Sequence, residues 1–180
     1  MAKQRVELET RRARRTRRQR AWVVGAAPAV VVVGVGGYFA YRAAATLPGS
    51  SVPSQGNLHI QSESTPHVEY STDPPTSGPH LPYIAPWGVH TTPIPKELQV
   101  HNLEDGGVMV QYSCECPDLV AKLRTIVARY DRQVILAPNP GMKSKIALTA
   151  WGRIDQFDEL DEQRVARFID AYRGTDHHPS

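Results

Sequence analysis

The sequence predicts an α+β fold, a small mixed sheet in the order β-α-β-β-α behind a proline-rich loop segment, with one transmembrane helix before it. Apolar residues at helical spacing indicate two amphipathic helices, at about 118–130 and 161–172. Apolar runs at 107–112, 133–137 and 146–151 are short enough to be strands. Helices and strands are therefore interspersed along one modest domain.

Composition divides the chain into five expected parts. They are a basic cytoplasmic tail, a transmembrane helix, a flexible linker, an extracytoplasmic domain and a disordered C-terminal tail, at residues 1–20, 21–42, 43–65, 66–174 and 175–180 respectively. Residues 1–20 hold nine Lys or Arg against two Glu, and the rest of the chain carries a net −4 because the whole is +3. The acidic remainder argues against nucleic-acid binding.

Residues 21–41 contain no charged side chain, and about 20 such residues cross a bilayer as a helix. Trp22, Tyr38 and Tyr41 stand near its ends, where amphipathic rings favour the membrane interface. A cleaved signal peptide is the alternative, but the length of the apolar run favours a retained anchor. The flanking arginines then predict a single-pass cell-membrane protein with a cytoplasmic N-terminus, and membrane lipid as a partner of the basic tail.

The next two segments are expected to contain little regular structure. Residues 43–65 are rich in Ser, Pro and Gly, which predicts a flexible linker. Eight prolines lie within residues 66–95, and proline disfavours long helices and central strands. Because Tyr70, Trp87 and other large apolar residues share that second segment, we expect it to be an ordered loop over a core.

The sequence His101-Asn102-Leu103-Glu104-Asp105 leads through a glycine pair into the first strand. Pro117 suits the first turn of the helix that follows. This β-α-β unit should be parallel with a right-handed crossover. We expect the third strand to pair antiparallel with the second through the turn at 137–145, and residues 155–160 to connect onward to the last helix.

Histidines and carboxylates concentrate around this stretch: His80, His101, Glu104 and Asp105, with His67 and His90 nearby. Imidazole and carboxylate are common ligands of zinc and copper, and His101 and Glu104 would share one face of a helical turn. The structural alternative is that these groups satisfy buried hydrogen bonds while a glycine supplies a positive φ. No established metal-binding spacing such as HExxH is present.

Cys114 and Cys116, the two cysteines of the chain, are expected outside the cytoplasm, where disulfides persist. A local disulfide, a pair of metal ligands and a redox pair all remain open. Their place before a helix N-terminus favours a thiolate, although the spacing is one residue short of the thioredoxin motif.

Three motifs occur in a characteristic order: PPTSGPH at 74–80 with WGVH at 87–90, VHNLEDGGVMVQY at 100–112, and IALTAWGRI at 146–154. Over residues 66–173 the chain thereby resembles a bacterial family known as domain of unknown function 3105. The resemblance implies a membrane-anchored, exported domain and no established activity. The family usually has HNLEHGG, where this chain has Asp105, and commonly has Tyr where this chain has His90. If the motif binds a metal, Asp105 shifts the preference towards harder ions.

Other chemistry finds little support in the sequence. Ser77 lies near His80 but outside any nucleophile elbow, and no phosphate-binding glycine loop is present. Trp87 and Trp151 each precede a glycine and are expected to pack over backbone. The function is thus expected to be that of an anchored extracytoplasmic binding or envelope-associated module without enzymatic activity. Metal binding, with copper or zinc as cofactor, and thiol-disulfide exchange are the alternatives.

Overall fold

The computed structural model describes Tyr38 and residues 46–178. The basic tail at 1–20 and the expected transmembrane helix at 21–42, with Trp22 and Tyr41, lie outside the described residues, apart from an exposed Tyr38. Within the part of the chain that is described, no helix combines the length and the apolar character needed to cross a membrane. Residues from Leu47 onward form one compact unit.

Residues 46–178 contain six strands and three helices. The strands are β1 (Ser50–Ser51), β2 (Gly88–Val89), β3 (Val108–Tyr112), β4 (Val134–Pro138), β5 (Ile146–Ala150) and β6 (Arg153–Phe157). The helices are α1 (Lys96–Glu104), α2 (Pro117–Val127) and α3 (Glu162–Tyr172). The α+β class and the mixed sheet are confirmed, and β3-α2-β4 forms the predicted parallel unit, with Val108 opposite Val134.

The sheet order is β1-β6-β5-β3-β4-β2, so β5 pairs antiparallel with β3 and not with β4. The expected pairing of the third strand with the second was wrong. The segment after β4 crosses the end of β3, because Asn139 N donates to Tyr112 O and Ser113 N donates to Lys145 O, at 2.7 and 3.0 Å. The chain therefore enters the sheet on the far side of β3, and β2 occupies the other edge of β4.

Strand β6 occupies residues that we expected to be a connection. A two-residue turn, Trp151–Gly152, joins it to β5, with Ala150 opposite Arg153. Gly152 has a φ of +65°, the conformation that short hairpin turns require and that glycine adopts without strain. The polar sequence of β6, RIDQF, lies between two strands yet is only half-buried, which is why apolar content did not reveal it.

Much of the expected linker at 43–65 belongs to the compact unit. Strand β1 pairs antiparallel with β6, and Ile60 is buried. His59 forms a parallel bridge with His80, in which Ile60 N donates to His80 O and His80 N donates to Leu58 O. Backbone hydrogen bonds hold this segment, so its Ser-, Pro- and Gly-rich composition did not predict its order.

The two faces of the sheet are covered differently. Helices α2 and α3 cover one face, where Val108 and Val110 meet Leu123, Phe168 and other buried side chains. On the opposite face, a smaller cluster joins the sheet to α1 and to the proline-rich segment: Ala85, Ile94, Leu103, Met109, Ile135 and Ala137, with Trp87, Leu98 and Trp151 packed against it. The proline-rich segment is ordered loop over a core, as predicted, and Trp87 and Trp151 border that core.

Candidate metal centre

Helix α1 begins directly after Pro95 and carries the HNLE sequence in its last turns. Its final six residues, Gln99 to Glu104, are all buried although four of them are polar. Buried polar groups are costly unless they have partners, so the neighbours of this helix decide what it can do. His101 and Glu104 are three residues apart and therefore lie on one face of the helix.

Asn102 fastens the proline-rich segment to α1. Its side-chain amide donates to Ala85 O, and its side-chain oxygen accepts from Ala85 N, both at 2.9 Å. A Cβ on Gly107 would contact the carbonyl of Asn102 and would lie 2.7 Å from the Trp87 ring. Part of the motif is thus structural, as the structural alternative proposed, because it holds loop, helix and strand in close contact.

His80 and Glu104 meet in the interior, where both side chains are almost completely buried. His80 Nδ1 lies 2.7 Å from Gly78 O, so that nitrogen donates its proton to the carbonyl. His80 Nε2 lies 2.9 Å from Glu104 Oε2. A neutral ring would then present a lone pair to a carboxylate, so either a proton or a metal cation has to mediate between the two groups.

The groups around Glu104 favour the ionised form of its carboxyl group. Burial raises its pKa, but a side-chain hydrogen bond from Asn57 and the charge and hydrogen bond of His80 outweigh burial, and the net pKa is lowered. His178 adds to the lowering. Several groups of positive character thus surround one buried negative charge.

His59 and His101 complete a ring of imidazoles around Glu104. His59 Nε2 lies 3.6 Å from Glu104 Oε2. The His59 ring stacks on His101 with centroids 5.2 Å apart, and it meets His80 edge-on at 4.8 Å. His59 is half-exposed, so this side of the cluster opens to solvent.

His101 is only 9% exposed. Burial lowers its pKa and outweighs the opposing effect of Asp105, so the neutral ring, which carries a lone pair, is favoured. Its Nδ1 atom has no hydrogen-bond partner among the described residues. A buried neutral imidazole has a lone pair with which it can ligate a cation.

Two groups of side chains have the geometry to hold a metal ion. His59, His80, His101 and Glu104 each offer one ligand atom, and all four atoms lie within 4.8 Å of one another. A second group, His101, Asp105 and His178, meets the same distance and shares His101 with the first. Ligand atoms around one tetrahedral zinc ion are about 3.3 Å apart, so small movements would close the first group on an ion.

The structure brings together three of the four predicted ligands, His80, His101 and Glu104, and places Asp105 in the adjoining group. His59 was missed because it lies in the expected linker. Its position between the apolar residues Leu58 and Ile60 was the one sequence signal that this segment is ordered. His67 instead faces Glu97 at 3.5 Å, and His90 Nε2 lies 2.7 Å from Pro86 O. Neither belongs to a described ligand group.

The C-terminal tail at 175–178, expected to be disordered, lies against this centre. His177 N donates to Glu104 O at 2.9 Å, and burial lowers the pKa of the His177 ring, which stacks on Trp151. The pKa of His178 is raised, first by its hydrogen bond to Asp176. Backbone hydrogen bonds fix the position of this tail, so its amino-acid composition could not predict that it is ordered.

Cys114 and Cys116 are bonded to each other as a disulfide. Neither belongs to a described ligand group, so sulfur does not take part in the centre in this state. The disulfide lies before α2, at the edge of a cavity of about 410 Å³ that Leu119, Lys122 and Lys145 also line.

A protein-family model described as "Protein of unknown function (DUF3105)" matches residues 59–180. No curated protein and no solved structure matches the chain. The matched range begins at His59 and includes every residue of both ligand groups.

Proposed function

The chain belongs to the DUF3105 family, whose function is unknown, and from that premise we propose that it binds a transition-metal ion through His59, His80, His101 and Glu104. One observation carries the proposal: three imidazoles converge on a single buried carboxylate, that of Glu104. An ionised carboxylate in the interior needs a nearby positive charge, and a bound cation supplies it.

The protonation of the cluster supports a metal ion over a purely structural network. His80 donates from Nδ1 to a backbone carbonyl, the arrangement that orients ligating histidines in metal proteins. That donation leaves Nε2 as the ligand atom, and Nε2 is the atom that faces Glu104.

Three imidazoles and one carboxylate form a nitrogen-rich set with one oxygen ligand. Zinc and copper(II) accept such sets, and neither has a strict need for thiolate. The carboxylate oxygens of Asp105 lie beside this set, which extends the range of metals it could bind towards harder ions. We therefore expect zinc or copper, with zinc as the probe for a first test.

The proposal includes the place where the domain works. Residues 21–42 form the proposed single transmembrane anchor, residues 1–20 lie in the cytoplasm against anionic lipid, and the domain is extracytoplasmic. The Cys114–Cys116 disulfide agrees with an oxidising compartment. The domain would act there as a metal-binding module of the cell envelope.

Thiol-disulfide exchange is a second candidate function. The disulfide borders a cavity lined by Lys122, Lys145 and Asp158, and its excess of positive charge would stabilise the thiolate that such exchange requires. An insulin-reduction assay with dithiothreitol tests it: acceleration by the wild-type chain, absent in a Cys114→Ser/Cys116→Ser variant, would support exchange. Equal rates with the two proteins would rule this candidate out.

Metal analysis of the full-length chain tests the main proposal. The chain is purified in mild detergent without chelator, equilibrated with zinc and desalted. We expect about one zinc ion per chain at the site formed by His59, His80, His101 and Glu104. That ion should be lost in His101→Ala and in His59→Ala. The half-exposed His59 side chain can be removed without leaving a cavity. His90→Ala is the matched control because His90 is partly exposed and outside both ligand groups. Absence of zinc in the wild-type chain, or equal zinc content in all four proteins, would refute the proposal.

A further inference from the structure

We infer that the C-terminal segment, residues 174–178, supplies a further metal ligand, His178, to the proposed centre. The inference rests on the proposed function and adds to it a ligand from a part of the chain with no regular secondary structure. It also assigns Asp105 to the same side of the centre, through the group that Asp105 and His178 form with His101.

Backbone hydrogen bonds hold the segment against the end of α1. Gly174 N donates to Gly106 O at 2.8 Å, and His177 N donates to Glu104 O at 2.9 Å. A Cβ on Gly106 would lie 2.7 Å from the backbone of Thr175, so the segment passes where a side chain would otherwise be. These contacts bring the next residue, His178, close to the carboxylates of Glu104 and Asp105.

The His178 ring is oriented as a ligand. Its Nδ1 lies 2.7 Å from Asp176 Oδ1 and donates to that carboxylate. Its Nε2 then points to Glu104 Oε2 at 3.4 Å and to Asp105 Oδ1 at 3.6 Å. A carboxylate that holds one ring nitrogen while the other faces a metal is a recurrent arrangement around bound ions.

His101 connects this group to the main one. His101 Nε2 lies 3.7 Å from Asp105 Oδ1, and the His101 and His178 rings are 5.9 Å apart at a steep angle. The separations of 3.6 and 3.7 Å from Asp105 to the two imidazoles are close to the roughly 3.3 Å between ligands of one zinc ion. Asp105 and His178 can therefore approach a bound ion with little movement.

Ion pairing alone gives a poor account of this arrangement. The His178 side chain is 40% exposed, and exposed ion pairs contribute little to stability. A ligand bond from His178 would hold the segment far more firmly than an exposed ion pair. The segment should thus become better ordered when the metal binds.

Zinc affinity separates the ligand role from a structural one. In full-length chain in mild detergent, competition with a chromophoric chelator should show zinc binding about 10–100-fold weaker in His178→Ala than in the wild type. His177→Ala is the matched control, because His177 stacks on Trp151 and belongs to neither ligand group. Its affinity should stay within about threefold of the wild type.

Hydrogen exchange gives a second readout that does not depend on affinity. The His177 amide donates to Glu104 O, and zinc should slow its exchange in the wild type but not in His178→Ala. If the wild type binds zinc and His178→Ala matches His177→Ala in both measurements, this inference is overturned and the proposed function stands. If the wild type binds no zinc, both fail.

Discussion

His80 and Glu104 are 24 residues apart in the chain, yet His80 Nε2 lies 2.9 Å from Glu104 Oε2 in the interior. His80 comes from the proline-rich segment, and Glu104 is the last residue of α1. The pair therefore joins the irregular part of the domain to a helix. It is also the centre around which the other histidines gather.

Replacement of Glu104 separates stability from metal binding. Glu104→Ala leaves the His80 ring without its partner in the interior and should lower the free energy of unfolding by about 3–5 kcal/mol. Glu104→Gln can donate its amide N–H to His80 Nε2, so it should cost less than about 2 kcal/mol.

Both variants should weaken zinc binding by at least about tenfold, because the anionic ligand is gone in each. Urea unfolding without metal and a zinc titration measure the two effects. A Glu104→Gln variant with wild-type zinc affinity would exclude the carboxylate as a ligand.

Gly106→Ala should displace the C-terminal segment. Gly106 has a φ of +75°, and an added Cβ would lie 2.7 Å from the Thr175 backbone. Gly56→Ala is the matched control, since Gly56 has a φ of +84° and nothing within 4 Å of an added Cβ.

Each change costs about 1–2 kcal/mol from the left-handed backbone alone. Gly106→Ala should lose additional unfolding free energy and show faster exchange of the His177 amide. Gly56→Ala should show neither effect. Equal unfolding free energies for the two variants would show that the Thr175 contact has no energetic effect.

The disulfide and the metal centre should be independent. The Cys114–Cys116 bond closes a very short loop, so removing it should lower the free energy of unfolding by less than about 2 kcal/mol. Zinc affinity should be unchanged in Cys114→Ser/Cys116→Ser, because neither sulfur belongs to a described ligand group. Urea unfolding and a zinc titration check this prediction, and a clear fall in affinity would place the cysteines in the centre.

Tyr130 should make the domain slightly less stable at alkaline pH. Its hydroxyl donates to Asp170 Oδ1 at 3.0 Å, and burial together with that hydrogen bond raises its pKa. A raised pKa in the folded state means that the stabilisation is complete below the unfolded pKa of about 10 and disappears as the pH rises through the folded value.

Tyr130→Phe should therefore be about 0.5 kcal/mol less stable than the wild type at pH 8, with the difference vanishing at higher pH. Urea unfolding of both proteins at pH 8 and pH 11 measures it. An equal difference at both values would mean that Tyr130 does not titrate in this range.

Much of the sheet and both amphipathic helices were predictable. Leu123, Ile126, Phe168 and Ile169 recur at helical spacing and are buried where that spacing places them. The strand pairing was less predictable, because β5 is equally apolar beside β3 or β4. The crossing of residues 139–145 over the end of β3 decided it, and those hydrogen bonds join backbone atoms that carry no side-chain signal.

The ligand set was predicted only in part, because only some of its contacts follow from local geometry. His101 and Glu104 share a helical face, so their proximity follows from local geometry. The approach of His80 depends on the path of the proline-rich segment, which the amide of Asn102 fastens through Ala85. His59 and His178 arrive through backbone hydrogen bonds of segments expected to be a linker and a frayed tail.

The sequence by itself determined the α+β class, the two amphipathic helices, the parallel β3-α2-β4 unit and the concentration of ligating residues around HNLED, because these depend on local spacing. Tertiary structure alone decided which side of β3 receives β5 and which histidines meet Glu104. Those choices rest on contacts between residues distant in the chain, made largely by backbone groups that every sequence shares.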